Sequence, residues 1–123
     1  IISLGSNIDP ELNTRLALEQ LTRIGPIRQQ TNLIYTEPER MKEQPAFLNG
    51  AVILDTTLPF DTLKSELKSI ENRLGRKRSG PKNGPRTIDL DIIAYNGTIT
   101  DDEVYEYGFL QKFLKELKPE LEV

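Results

Sequence analysis

The chain has 123 residues, 37% hydrophobic and 28% charged, with a formal net charge of −3. That balance fits one globular domain with a single core and excludes a disordered chain, a membrane span and generic affinity for nucleic acid. Cysteine and histidine are both absent, which excludes disulfides, thiolate nucleophiles and histidine-based zinc sites and leaves carboxylate, Lys, Tyr or water as any general base.

Ile1–Leu4 reads as a strand, broken by Gly5-Ser6-Asn7. Asp9 is placed as a helix N-cap with Pro10 at the first helical position. Leu12, Leu16, Ala17, Leu21 and Ile24 give that helix an apolar face, and Gly25-Pro26 ends it. Ile27–Ile34 reads as a second strand and Phe47–Leu54 as a third. Phe60, Leu63, Leu67, Ile70 and Leu74 recur at three- and four-residue steps, the stripe of an amphipathic helix that starts near Asp61. A Gly/Pro-rich loop leads to a fourth strand ending at Tyr95, and Asn96-Gly97 signals a turn. Past Asp101-Asp102-Glu103, a last amphipathic helix is expected from about Phe109 to Leu117.

The order β-α-β-β-α-β predicts a ferredoxin-like α+β sandwich, an antiparallel sheet with helices on one face plus a C-terminal helix. Residues 1–123 are read as a single domain. No apolar run reaches membrane-spanning length and no signal peptide is read at the start, so the expected compartment is the cytoplasm, without a membrane partner. Fold alone assigns no function.

Chemistry concentrates in Gly84-Pro85-Arg86-Thr87-Ile88-Asp89-Leu90-Asp91-Ile92. On a strand, Asp89 and Asp91 point to one face roughly 7 Å apart, while Leu90 and Ile92 point into the core. Such a pair on a half-buried strand can be a plain solvent-facing edge. Here it follows a stretch, Leu74 to Ile88, without an acidic residue but with Arg76, Lys77, Arg78, Lys82 and Arg86. Paired carboxylates repel unless a cation lies between them, and beside a cationic loop they suit Mg²⁺ and a polyphosphate. Arg86, three residues before Asp89, is placed to fork onto a phosphate held at the pair, and Arg76 comes next. Glu71, at the edge of the helical stripe, is ordinarily an exposed residue paired with Lys68. Phe47 and Asn49 share one strand face, where an aromatic plate beside an amide could hold a flat hydrogen-bonding heterocycle. Taken alone, Phe47 and Phe109 read first as packing residues, Phe109 as an anchor of the last helix.

These segments together resemble the 6-hydroxymethyl-7,8-dihydropterin pyrophosphokinase family of folate biosynthesis. The matching pieces are Ser3–Asn7 (SLGSN), Thr36-Glu37-Pro38, Gln44–Asn49, Glu71 with Leu74-Gly75-Arg76, and Gly84–Ile92 (GPRTIDLDI), in family order. The resemblance implies transfer of a diphosphate from ATP to the hydroxymethyl group of a reduced pterin, releasing AMP. It implies two Mg²⁺ ions on Asp89 and Asp91, phosphate contacts from the catalytic arginines Arg76 and Arg86, and pterin held by Thr36, Phe47, Asn49 and Phe109. Lys68, Glu71, Arg78 and Ile92 fall on the ATP side. Partners are then small molecules, with no nucleic acid; fusion to or association with other folate enzymes is left open. The chain departs from the family where a phosphate-binding His and Arg usually follow the Asn-Gly turn: here stand Asp101, Asp102, Glu103 and Tyr107. The alternatives are a ferredoxin-like nucleotide- or nucleic-acid-binding domain without catalysis, or a lapsed family member that only binds pterin or ATP.

Overall fold

Alternation builds the sheet. In β1 (Ile2–Ser6) and β5 (Asp89–Ile92), Ile2, Leu4, Leu90 and Ile92 face one side and join the core under the helices. The computed structural model describes residues 1–38, 41–75 and 85–121. β1 runs at the centre, antiparallel both to β4 (Phe47–Leu54) and to β5. The strand order is β2-β4-β1-β5, with β2 spanning Ile27–Gln30, and β3 (Ile34–Thr36) also paired to β4. Helices α1 (Pro10–Thr22) and α2 (Phe60–Arg73) cover one face, as a ferredoxin-like sandwich requires.

The opposite face is covered too. There α3 (Gly108–Leu117) packs Leu110, Phe113, Leu114 and Leu117 against Ala51, Ile93, Ala94 and Val104. Val104 comes from a 3₁₀ turn, Asp102–Tyr105. This second core covers only part of that face, so the remainder stays open as a cleft. Among the described residues no helix is long and apolar enough to cross a membrane.

The single strand expected over Ile27–Ile34 is two strands. Between the pairs Gln30–Val52 and Ile34–Asn49, three residues stand on this side and two on β4, a bulge. Thr31 bridges the gap, its N–H donating to the Ala51 carbonyl and its hydroxyl accepting the Ala51 N–H, both at 3.0 Å. Leu33 fills the space above Gly50, where a Cβ would stand 2.5 Å from its Cδ2.

α1 also differs from its expected face. Leu12 is 45% exposed, and the buried side is Asn13, Thr14, Ala17 and Leu21. The two polar residues face inward because the local backbone satisfies them. Asn13 Nδ2 donates to the Ile8 carbonyl at 2.6 Å, and Thr14 Oγ1 to that of Pro10 at 2.7 Å. Asp9 occupies the cap position, but in a left-handed conformation (φ 42°) and without a side-chain cap bond.

β5 stops at Ile92. Ala94–Tyr95 and Thr98–Ile99 form a separate hairpin, β6–β7, about Asn96-Gly97, both at positive φ as a tight type I′ turn demands.

Candidate active site

Two clefts meet at β5. The first, of about 220 Å³, opens on the sheet face opposite α1 and α2. Its walls include Thr36, Phe47, Asn49, Phe109, Arg86, Asp89 and Asp91. The second, of about 420 Å³, lies along the outer edge of β5 beside α2 and takes in Lys68, Glu71, Ile92 and again Asp89 and Asp91. The carboxylate pair is therefore common to both, and Asp89 and Asp91 pair across β1 with Gly5 and Ser3.

Every described candidate residue lies in one of these clefts. Arg76, Lys77, Arg78 and Lys82 lie outside the described residues. Aromatic and amide groups lie in the first cleft, and Lys64, Lys68 and Glu71 of α2 line the second.

The first cleft has an ordered polar edge. Asn49 Nδ2 donates to Thr36 Oγ1 at 2.5 Å, across the β3–β4 ladder. The amide fits there because residue 5 lacks a side chain: a Cβ on Gly5 would come within 2.5 Å of Asn49 Oδ1. Phe109 stands at the mouth of α3, with its ring centroid 5.5 Å from that of Tyr107 and 6.1 Å from that of Phe113. It is thus a wall of the cleft and a neighbour of the second core at once.

Glu71 differs from the exposed helix residue that its sequence context suggests. It is 3% exposed, and its Oε2 accepts the Leu90 N–H at 2.8 Å. β5 is the last strand of the sheet, so this carboxylate satisfies a donor for which no further strand exists. Lys64, one turn before Lys68 on α2, lines the same cleft. The spacing 64, 68, 71 was legible as one helix face.

Electrostatics at the pair are severe. Burial, then the neighbouring carboxylates of Asp89, Asp101, Glu103 and Glu71, push the Asp91 carboxyl up from 3.8 to about 8. Ligand oxygens of Asp91, Asp101 and Glu103 all lie within 4.8 Å of one another. Hard oxygen donors crowded in this way fit a divalent cation such as Mg²⁺, so the residues present suit the metal that the sequence implied. Asp101 and Glu103, from the acidic stretch after the Asn-Gly turn, were not among the expected site residues; Tyr107, which lines the first cleft, was not either.

Residues 1–119 match the family model described as 7,8-dihydro-6-hydroxymethylpterin-pyrophosphokinase (HPPK). The chain belongs to this family. It is 34% identical over 102 residues to 2-amino-4-hydroxy-6-hydroxymethyldihydropteridine pyrophosphokinase of Pseudomonas putida, covering 81% of this chain and 84% of that protein. It is 36% identical over 127 residues to a mitochondrial folate synthesis bifunctional protein of Pisum sativum, covering 95% of this chain but 24% of the pea protein. A folic acid synthesis protein of Schizosaccharomyces pombe is 36% identical over 131 residues, 98% of this chain and 18% of its own length. The chain thus spans a quarter or less of these plant and fungal relatives.

Proposed function

We propose that this chain transfers the diphosphate of ATP to 6-hydroxymethyl-7,8-dihydropterin, yielding AMP and the pterin diphosphate, as a single cytoplasmic domain of folate biosynthesis. The observation that carries the reading is the sharing of Asp89 and Asp91 by an aromatic-amide cleft and a lysine-lined one. A flat heterocycle and a nucleotide can then present their reacting groups to one another over the same two carboxylates.

In this reading, Phe47 and Phe109 sandwich the pterin, and Asn49 with Thr36 reads its ring edge. Lys68, Glu71 and Ile92 line the ATP site, to which the family resemblance adds Arg78. Asp89 and Asp91 would hold two Mg²⁺ ions, whose contribution when bound is neutralisation of phosphate charge. Arg86, at the root of the first cleft, and Arg76 compensate charge on the transferring group. The hydroxymethyl oxygen forms a bond to the β-phosphorus as the bond from that phosphorus to the α–β bridging oxygen breaks, and AMP leaves. The hydroxyl proton passes to water or to a carboxylate of the pair, consistent with a chain that lacks histidine.

One observation favours a second reading, a family member that binds but turns over poorly. Asp101 and Glu103 stand beside Asp91, in the segment where the family resemblance implies a phosphate-binding His and Arg. AMP release from Mg-ATP, with and without the pterin, decides between them. AMP formed only with both pterin and Mg²⁺ supports the transferase; pterin binding without AMP supports the lapsed member; neither result leaves the family without its activity here.

A further inference from the structure

The β1–β5 ladder ends at Gly5–Asp89, and two residues further on the side chain of Asn7 takes over. Asn7 is 5% exposed and makes four hydrogen bonds to two separate segments. On one side its backbone N–H donates to the Arg86 carbonyl at 3.1 Å, and its Oδ1 accepts the Arg86 N–H at 2.8 Å. On the other, its Nδ2 donates to Gln44 Oε1 at 2.9 Å and to the Pro45 carbonyl at 3.1 Å. Both hydrogens of one amide thus serve the segment that enters β4 at Phe47, while its oxygen serves the backbone of Arg86.

From this geometry we infer that Asn7 is a positioning residue, which fixes the root of Arg86 and the approach to Phe47 relative to each other. The inference rests on the function proposed above. Asparagine suits the place because it alone offers one acceptor and two donors from a short, planar group. Leu or Ala would strand the Arg86 N–H. Asp would keep that acceptor but turn a carboxylate toward Gln44 Oε1 and the Pro45 carbonyl, both acceptors. The two halves of the clamp can therefore be broken separately.

The test pairs steady-state kinetics with backbone amide exchange, on the full chain and on Asn7→Ala, Asn7→Asp and Gln44→Ala. Asn7→Ala is expected to lower kcat at least tenfold and to lose exchange protection at the Arg86 amide, with core amides such as that of Val52 unchanged. Asn7→Asp is expected to keep protection at Arg86 and to raise the pterin KM more than it lowers kcat. Gln44→Ala, which leaves the Arg86 half intact and buries no charge, should show the same KM-weighted effect if Asn7→Asp does not fold. Wild-type kcat and KM in Asn7→Ala, or a uniform loss of protection across the core, would overturn the inference. If the wild-type chain forms no AMP, the proposed function falls by itself. Arg86 amide protection that survives Asn7→Ala would then overturn the clamp, and its selective loss would uphold it.

Discussion

Replacing Asp91 by Asn should make the metal-free protein more stable while removing its response to Mg²⁺. The Asp91 carboxyl is raised from 3.8 to about 8 because it is buried among other carboxylates. The sign follows from proton counting. Between those two values the folded state holds a proton that the unfolded state has released, so stability falls as pH rises from 3.8 towards 8. At pH 7 the part of this displacement that lies between 3.8 and 7 corresponds to at most ~4 kcal/mol at ~1.4 kcal/mol per pH unit. Both clefts admit water to this carboxyl, which screens it, so we expect about half of that, ~2 kcal/mol, to be recovered by the amide. For a domain of this size ~2 kcal/mol corresponds to a rise in Tm of roughly 6–10 °C at pH 7.5. The gain should shrink as pH falls towards 3.8 and vanish below it, where the carboxyl is protonated in both states. Added Mg²⁺ should raise the wild-type Tm, more strongly at pH 8 than at pH 6 because the metal competes with the proton. Differential scanning fluorimetry across pH, with Mg²⁺ or EDTA, reads all of this. A variant no more stable than wild type at pH 7.5, or one that keeps the full Mg²⁺ shift, would refute the argument that this carboxyl is a strained cation ligand.

Three further changes test other parts of the site. Gly5→Ala should push the Asn49 amide out of place and raise the pterin dissociation constant about tenfold or more, measured by isothermal titration, since the lost edge bonds are each worth ~1 kcal/mol. Phe47→Ala should weaken pterin binding by a factor equivalent to ~1–3 kcal/mol while sparing ATP affinity, because a flat ring loses one stacking face. Glu71→Ala leaves the Leu90 N–H without its acceptor and should cost ~1–3 kcal/mol of stability by chemical denaturation. Glu71→Gln, which can still accept that bond, should be milder.

Much of this was legible in the residues because two strong periodicities coincide with the structure. The stripe Leu63, Leu67, Ile70 is buried as its spacing demands, and the alternation Asp89, Leu90, Asp91, Ile92 splits between cleft and core. The separation of Phe47 and Asn49 from Leu48 also follows from alternation, and both residues reach the first cleft. What failed to show in the sequence depends on contacts between distant segments. The break after Gln30 arises from Thr31 bonding to Ala51 twenty residues away, which no local propensity encodes. Asn13 and Thr14 sit on the buried side of α1 because the backbone of the preceding turn satisfies them, whereas a hydropathy pattern assigns that side to Leu12. Glu71 looked like any surface glutamate, since its acceptor role depends on a strand edge that exists only after β5 docks beside α2. Asp101 and Glu103 join the carboxylate cluster through the hairpin and the 3₁₀ turn, a fold-back that the acidic composition of that stretch does not announce.

The way the sheet terminates has a consequence for solubility. A bare outer strand offers a row of donors and acceptors on which another chain can add, and proteins that keep such edges exposed are prone to aggregate. Here one margin is occupied by the Glu71 carboxylate at Leu90, and the other is broken by a register shift between Ile27 and Gln29, where Arg28 is held by Asp55 at 2.9 Å. Both margins thus resist strand addition. A domain guarded in this way can be joined to further domains in one polypeptide, as in the longer plant and fungal relatives, without its sheet recruiting strands from neighbouring copies.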